Sequence, residues 1–340
     1  MAFTDVICPL LQEDMAGVVG RNYAALNRQQ TGMLDALRSP LNTEGLMPIP
    51  IDLGDGKRKR VQVYYVPATP AAQVVSTPAA HCSSQTKQEP EEVLVEIDDY
   101  RGSVGRVLTT AELQTLCTPG LDRDRLRQTM LLQDIRAINV AVNQAALTFL
   151  VANFGSHFAA NSPATVNVNL FNNNLPDTFG FSSVLEEYSD IEGVNRPLVV
   201  GAGLSSQFFR SMSWGCCNDG GIDLSVANGE AYFFRDKDAN TILGANQFAV
   251  MSPGVMHLLQ WKANSGIFME TGDTFAHTRI MDPITGLEYD VDIVYEPCTK
   301  QWTWAVGMHF SFFIMPDQWP AGSDMEGVNG TLRFTATATP

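Results

Sequence analysis

The segment from Asp122 to about Asn153 contains neither proline nor glycine, and it constrains this chain more than any other feature. Leu131, Ile135, Ile138, Val142, Ala145 and Phe149 recur at spacings of four and three, one continuous helical stripe. Asp122 is expected to cap the helix and Gly155 to stop it. At 1.5 Å per residue it would span roughly 50 Å, longer than most helices of globular proteins. Its first turns are polar outside the stripe (Arg123, Arg125, Arg127, Gln128, Gln133, Asp134, Arg136), whereas its last turns are apolar nearly all round (Leu147, Leu150, Val151, Phe154). That end must be buried on several sides. A coiled coil is the competing reading, but the stripe covers only about three heptads and lacks flanking charge pairs.

A stripe this long needs an equally long cover, and a strand hairpin far downstream supplies one. Leu287, Tyr289, Val291, Ile293 and Tyr295 fall on one face, and Glu288, Asp290, Asp292 and Glu296 on the other. After a turn over Pro297 to Gln301, the return strand alternates Trp302, Trp304, Val306, Met308, Phe310 and Phe312 with smaller or polar residues. Eleven large apolar side chains thus line one face of the ribbon. At about 1.5–3 kcal/mol for each buried side chain, helix on hairpin would dominate the stability of the domain. The stripe Leu131–Phe149 is predicted to pack on the Trp302–Phe312 face within one subunit. The acidic face is wet or partner-facing, which makes Asp290 and Asp292 candidate intersubunit contacts; a cation site or an acid pair is the sharper and weaker reading.

The region before the helix has a different character. Residues 1–45 read as irregular, with a short helix around Leu26–Leu37. Met47 to Leu53 is extended, Gly54-Asp55-Gly56 turns, and Val61 to Val66 resumes as strand, with Lys57, Arg58, Lys59 and Arg60 just past the tip. Residues 67–92 form a long loop rich in Pro, Ala, Ser, Thr and Gln, and Val93–Ile97 returns as strand. This excursion has too little apolar content for a core of its own, so it must lie across another surface. The basic run could be a nuclear address or a polyanion contact; the plainer reading is a solvated arm or a contact to an acidic neighbour. Thr109-Thr-Ala-Glu112 fits a capping box opening a short helix, ended by Pro119-Gly120. Further on, Pro197–Val200 reads as a buried strand, Ser205–Met212 as a helix and Gln247–Met251 as a strand. A short apolar helix or strand then runs through Trp261.

Charge and composition exclude several functions. The chain has 340 residues, 17% of them charged, and a net charge of −15. Residues 1–160 carry 14 basic and 17 acidic side chains; residues 161–340 carry 8 and 20. Such a chain does not coat nucleic acid through a general basic surface. The six cysteines are scattered without a C-x-x-C pair, and no histidine sits at metal-ligand spacing from another ligand. No export signal opens the sequence, and no uninterrupted apolar run approaches membrane-spanning length, which points to synthesis in a cytoplasm without a membrane partner. Gly201-Ala202-Gly203 after a strand is the one motif with chemistry in it, a possible dinucleotide turn of an oxidoreductase with Asp223 near the right distance. But Ser206 replaces the third glycine, and no alternating βαβ series surrounds it. No catalytic, cofactor-binding or metal-ligating set emerges, and no cofactor is expected.

Taken in order, these pieces resemble the major capsid protein of tailed bacteriophages, the Johnson or Hong Kong-type capsid fold that encapsulin shells share. The resemblance covers nearly the whole chain as architecture rather than as a motif. It implies an α+β fold with an N-terminal arm at 1–45 and an extended loop at 46–105. A peripheral domain at 106–190 holds the spine helix 122–154, an axial domain follows at 191–274, and 275–340 returns through the peripheral domain and a tail. Pro197 to Gly203, Phe248 to Gly254, Phe275 to Arg279 and Asp282 to Gly286 carry the axial domain and the return. It further implies self-assembly into pentamers and hexamers of an icosahedral shell around double-stranded DNA, with separate scaffolding, portal and possibly decoration proteins as partners, and residence in the virion. An encapsulin-like compartment shell is the alternative within the same fold. The arm and the basic-tipped loop would reach over neighbouring subunits. Some members crosslink lysine to asparagine, and Lys57, Lys59 and Lys87 lie in the corresponding region. Two departures stand out: no long charged N-terminal extension is present, and the tail from Asp317 to Pro340 exceeds what the minimal fold requires.

Overall fold

The computed structural model describes residues 31–39, 42, 49–50, 60–65, 91–96, 100–118, 120–156, 165–169, 171–172, 175–176, 197–202, 232–260, 269–271, 273–281, 287–315 and 327–337. In chain order the elements are α1 (Gly32–Arg38), β1 (Ile49–Pro50), β2 (Arg60–Tyr65), β3 (Glu91–Glu96), β4 (Tyr100–Leu108), α2 (Thr110–Cys117) and α3 (Leu121–Ala152). Next come β5 (Thr165–Asn169), β6 (Phe171–Asn172), β7 (Leu175–Pro176), β8 (Leu198–Gly201), β9 (Tyr232–Arg235), α4 (Ala239–Ile242) and β10 (Gln247–Met251). The chain closes with β11 (Met256–Gln260), β12 (Met269–Thr271), β13 (Phe275–Met281), β14 (Glu288–Glu296), β15 (Gln301–Ile314) and β16 (Thr331–Thr337). The fold is α+β, as the sequence implied.

Two sheets organise it. The larger runs β11-β15-β14-β13-β12, with β4 along the other edge of β15. The second is ordered β5-β16-β10-β8-β9. Strands β1, β2 and β3 form a separate three-stranded sheet with no extensive contact to any other described element. Three strands without a second layer on a hydrophobic face are weakly held.

The spine helix α3 lies under the larger sheet. Leu131, Ile135, Ile138 and Val142 are 0–1% exposed and share one core with Tyr289, Val291, Ile293, Trp304 and Val306. Phe149 meets Phe312 with ring centroids 5.6 Å apart. The predicted packing of stripe on hairpin is therefore present within one chain. The hairpin register pairs Val291 with Val306 and Ile293 with Trp304, so these large apolar residues turn to the same side. Tyr289 passes through this core to donate its hydroxyl to Asn139 Oδ1 of α3 at 2.8 Å.

Several local expectations need correction. Gly120, not Asp122, is the N-cap of α3, and it makes no side-chain cap bond. The polar first half of α3 is partly buried: Arg127 is 1% exposed and Asp134 0%. Arg127 Nη1 donates to the Leu116 carbonyl at 2.5 Å and Nη2 to Asp124 at 2.6 Å, while Arg106 of β4 donates to Asp134. By length and composition Arg123–Ala152 would also suffice to cross a membrane, although no uninterrupted apolar run shows it; the core it shares with the covering sheet accounts for its apolar stripe. The capping box forms as expected, with Thr109 accepting from Glu112 N and Glu112 accepting from Thr109 N at 2.7 Å.

Sheet membership also cuts across the segments drawn on the sequence. The boundary at 105 falls inside β4, β5 of the 106–190 segment and β16 of the tail enter the second sheet, and β11 of the 191–274 segment joins the first. Strand β16 sits between β5, which it pairs in parallel, and β10, so the tail is an inner strand rather than an appendage. Phe334 stacks on Phe248 with centroids 5.2 Å apart, which fixes it there.

Candidate assembly surface

The face of the larger sheet opposite α3 is built from register. Phe275, Val294, Thr303 and Val107 are successive partners across β13, β14, β15 and β4. One step along lie His277, Asp292, Ala305 and Gly105; the next row is Arg279, Asp290, Gly307 and Ser103. Because side chains alternate along each strand, all three rows share one face.

The rows differ in character. Arg279 Nε donates to Asp290 Oδ1 at 2.9 Å, and its Nη1 reaches Glu288 at 3.4 Å. His277 Nδ1 stands 2.6 Å from Asp292 Oδ1. Both aspartates named from the sequence thus lie on this outer face, and each already has a partner within the chain. Those partners stand on β13, a strand that sequence patterning did not identify. At the turn end, the apolar row is open: Val107 is 62% exposed, Val294 47% and Phe275 40%. Asp273 and Glu296, both exposed, flank it. Three apolar side chains in register across a sheet, left in water beside acidic groups, form a surface suited to contact.

Of the basic tip, Lys57, Arg58 and Lys59 lie outside the described residues, as do Lys87 and the helix expected at Ser205–Met212. Arg60 opens β2 with its backbone opposite Glu96.

The glycine turn can be tested directly. Strand β8 leads to Gly201 and Ala202, and β9 runs parallel beside it, ending at Arg235 with Asp236 next in the chain. Asp236 therefore takes the place in which a dinucleotide fold sets its ribose-binding acid. Its carboxylate is committed elsewhere. Oδ2 accepts from Met33 N at 2.9 Å and Asn143 Nδ2 at 2.8 Å, and Oδ1 accepts from Asp238 N at 2.8 Å. The residue is 0% exposed, and burial pushes its carboxyl above the ordinary 3.8. Its backbone N–H donates to the Gly201 carbonyl at 3.0 Å. A ribose finds no free acceptor there. Asp223 and Gly203 lie outside the described residues. Among the described residues no group of three His, Cys, Asp or Glu side chains could hold a metal ion.

Sequence reasoning missed Asp236, Asn143 and Asn42, all buried. The only signal was a polar residue, Asn143, next to the helix stripe.

No family model matches the chain, and no curated protein matches it. Solved structures do. The cyanophage A-1(L) capsid asymmetric unit has 11% identity and TM-score 0.49, with 87% of this chain and 95% of that one covered. A structure from Mycobacterium phage Bobi has 9% identity and TM-score 0.46, with 88% and 91% covered. The asymmetric unit of the bacteriophage PhiM1 mature capsid has 9% identity and TM-score 0.43, with 87% and 90% covered.

Proposed function

We infer that this chain is the major capsid protein of a tailed bacteriophage, a non-enzymatic subunit whose copies close a shell. The observation that carries the reading is the separate sheet β1-β2-β3. Its strands pair with one another yet contact no other described element extensively, while the outer face of the larger sheet leaves an apolar row uncovered. A subunit with an unsupported sheet and an uncovered face is completed by a second copy of itself. The acidic total supports a shell that encloses double-stranded DNA without gripping it. In this reading copies form pentamers and hexamers of an icosahedral shell, assembled in the host cytoplasm and retained in the virion. Scaffolding, portal and possibly decoration proteins are separate chains. The basic tip Lys57–Arg60 reaches a neighbouring subunit, and Asp290 and Asp292 contribute to the acidic surface that receives it. The test is negative-stain microscopy of the purified protein. Capsomers, shells or graded oligomers are expected; a discrete monomer with affinity for a nicotinamide dinucleotide overturns the reading.

A further inference from the structure

Helix α1 has seven residues, too few to be stable alone, yet Met33, Leu34 and Ala36 are fully buried. It touches α3, β8 and β9 of the second sheet, and β11 of the first, so it wedges between the spine helix and both sheets. The seat is close: a Cβ on Gly32 would come within 2.6 Å of the Arg235 carbonyl carbon. Polar bonds fasten both ends. At the front, Met33 N donates to Asp236 and Leu34 N donates to Asn143 Oδ1, each at 2.9 Å. At the back, Asn42 accepts from Gly254 N at 3.0 Å and donates to the Met256 carbonyl at 2.6 Å.

The front fastening is an unusual one for a permanent core. Asp236 is buried, and among the described residues no cationic side chain pairs with it. Its partners are neutral donors, and the charged groups acting on it and on its neighbour in α1 are Asp238, Asp35 and Arg38, the last held by Asp35 at 3.0 Å. Burying a carboxylate this way costs more than packing an apolar side chain of the same size. The apolar grip of α1 itself rests on four side chains, Met33, Leu34, Ala36 and Leu37.

We propose that residues 31–39 with Asn42 are a detachable strap. Seated, the strap holds the spine helix and the two sheets in one relative arrangement. It leaves its groove by breaking the bonds of Met33 N to Asp236 and of Leu34 N to Asn143, while both sheets and the spine helix stay folded. Asp236 and Asn143 are thus positioning residues for the whole subunit. The consequence for a shell, that strap release lets the two sheets change their mutual angle, rests on the assembly reading; the strap does not.

Hydrogen exchange on the purified full chain, followed by mass spectrometry, tests it without reference to assembly. Amides of residues 33–37 should exchange roughly tenfold or more faster than those of 131–150 and 302–312. Asp236→Ala should raise strap exchange by roughly another tenfold and leave the other two segments unchanged, and Asp236→Asn, which keeps an acceptor for Met33 N, should recover part of the difference. Equal exchange in strap and spine helix of the unmodified protein, or an equal rise everywhere in the variant, would make the strap a fixed part of the core and overturn the proposal. Should Asp236→Ala not fold, Asn42→Ala loosens the opposite end and gives the same comparison.

Discussion

The two faces of the larger sheet are made by the same strands and have opposite fates. The inner face, around Trp304 and Val291, is fully buried against a helix supplied by the same chain. The outer face, one residue out of step, ends in Val107, Val294 and Phe275 standing in water, with its aspartates held by Arg279 and His277. Period-two alternation sends half of each strand to each side; the spine helix covers one of them, and on the other Arg279 and Ser311 are buried while the apolar row at the turn end is not. The inner face answers how the chain folds; the outer face leaves its apolar row open to water.

The largest test of this contrast is Trp304→Ala. Trp304 is 0% exposed beneath α3, so its truncation should cost about 3–5 kcal/mol, read as a lowered urea midpoint. A loss under about 1 kcal/mol would mean that the inner face does not carry the fold. Tyr289→Phe is gentler. It keeps the ring and removes only the hydroxyl donated to Asn139, at an expected cost of about 1 kcal/mol in the same assay. Smaller still is a pH effect. Burial holds the His257 imidazole below its ordinary 6.5. The folded chain then binds that proton more weakly than the unfolded one, so its contribution is full above 6.5 and declines as pH falls below it. His257→Gln should flatten that part of the stability profile between about pH 8 and about pH 5. The outer face gives the smallest stability effect of all. Phe275→Thr with Val294→Lys should leave the midpoint within about 0.5 kcal/mol while abolishing higher assembly, a split that no inner-face variant can produce.

How far the sequence could be read follows the same division. The inner face was legible because a stripe of period 3.6 and a ribbon of period two need only each other. Strands β4 and β13 were not legible: Tyr100–Leu108 carries Gly102, Ser103 and Gly105, and Phe275–Met281 mixes Ala, His, Thr and Arg. Both are strands because β15 and β14 offer them a ladder, which is tertiary context overriding weak local preference. The pairing of Asp290 with Arg279 and of Asp292 with His277 depends on β13, so it stayed hidden with that strand. Tail strand β16 was legible only as chain beyond the minimal fold, since its parallel partner β5 lies far away in sequence. Asp236 gave no signal because its donors come from α1 and α3, which nothing local connects to it.

The most direct test of the account is electron microscopy of the purified full chain beside the Phe275→Thr, Val294→Lys double variant, with unfolding midpoints measured on both. The account predicts capsomers or closed shells from the natural sequence and discrete small particles from the equally stable variant. A natural chain that remains a uniform monomer under assembly conditions would contradict it, and so would a variant that still closes shells.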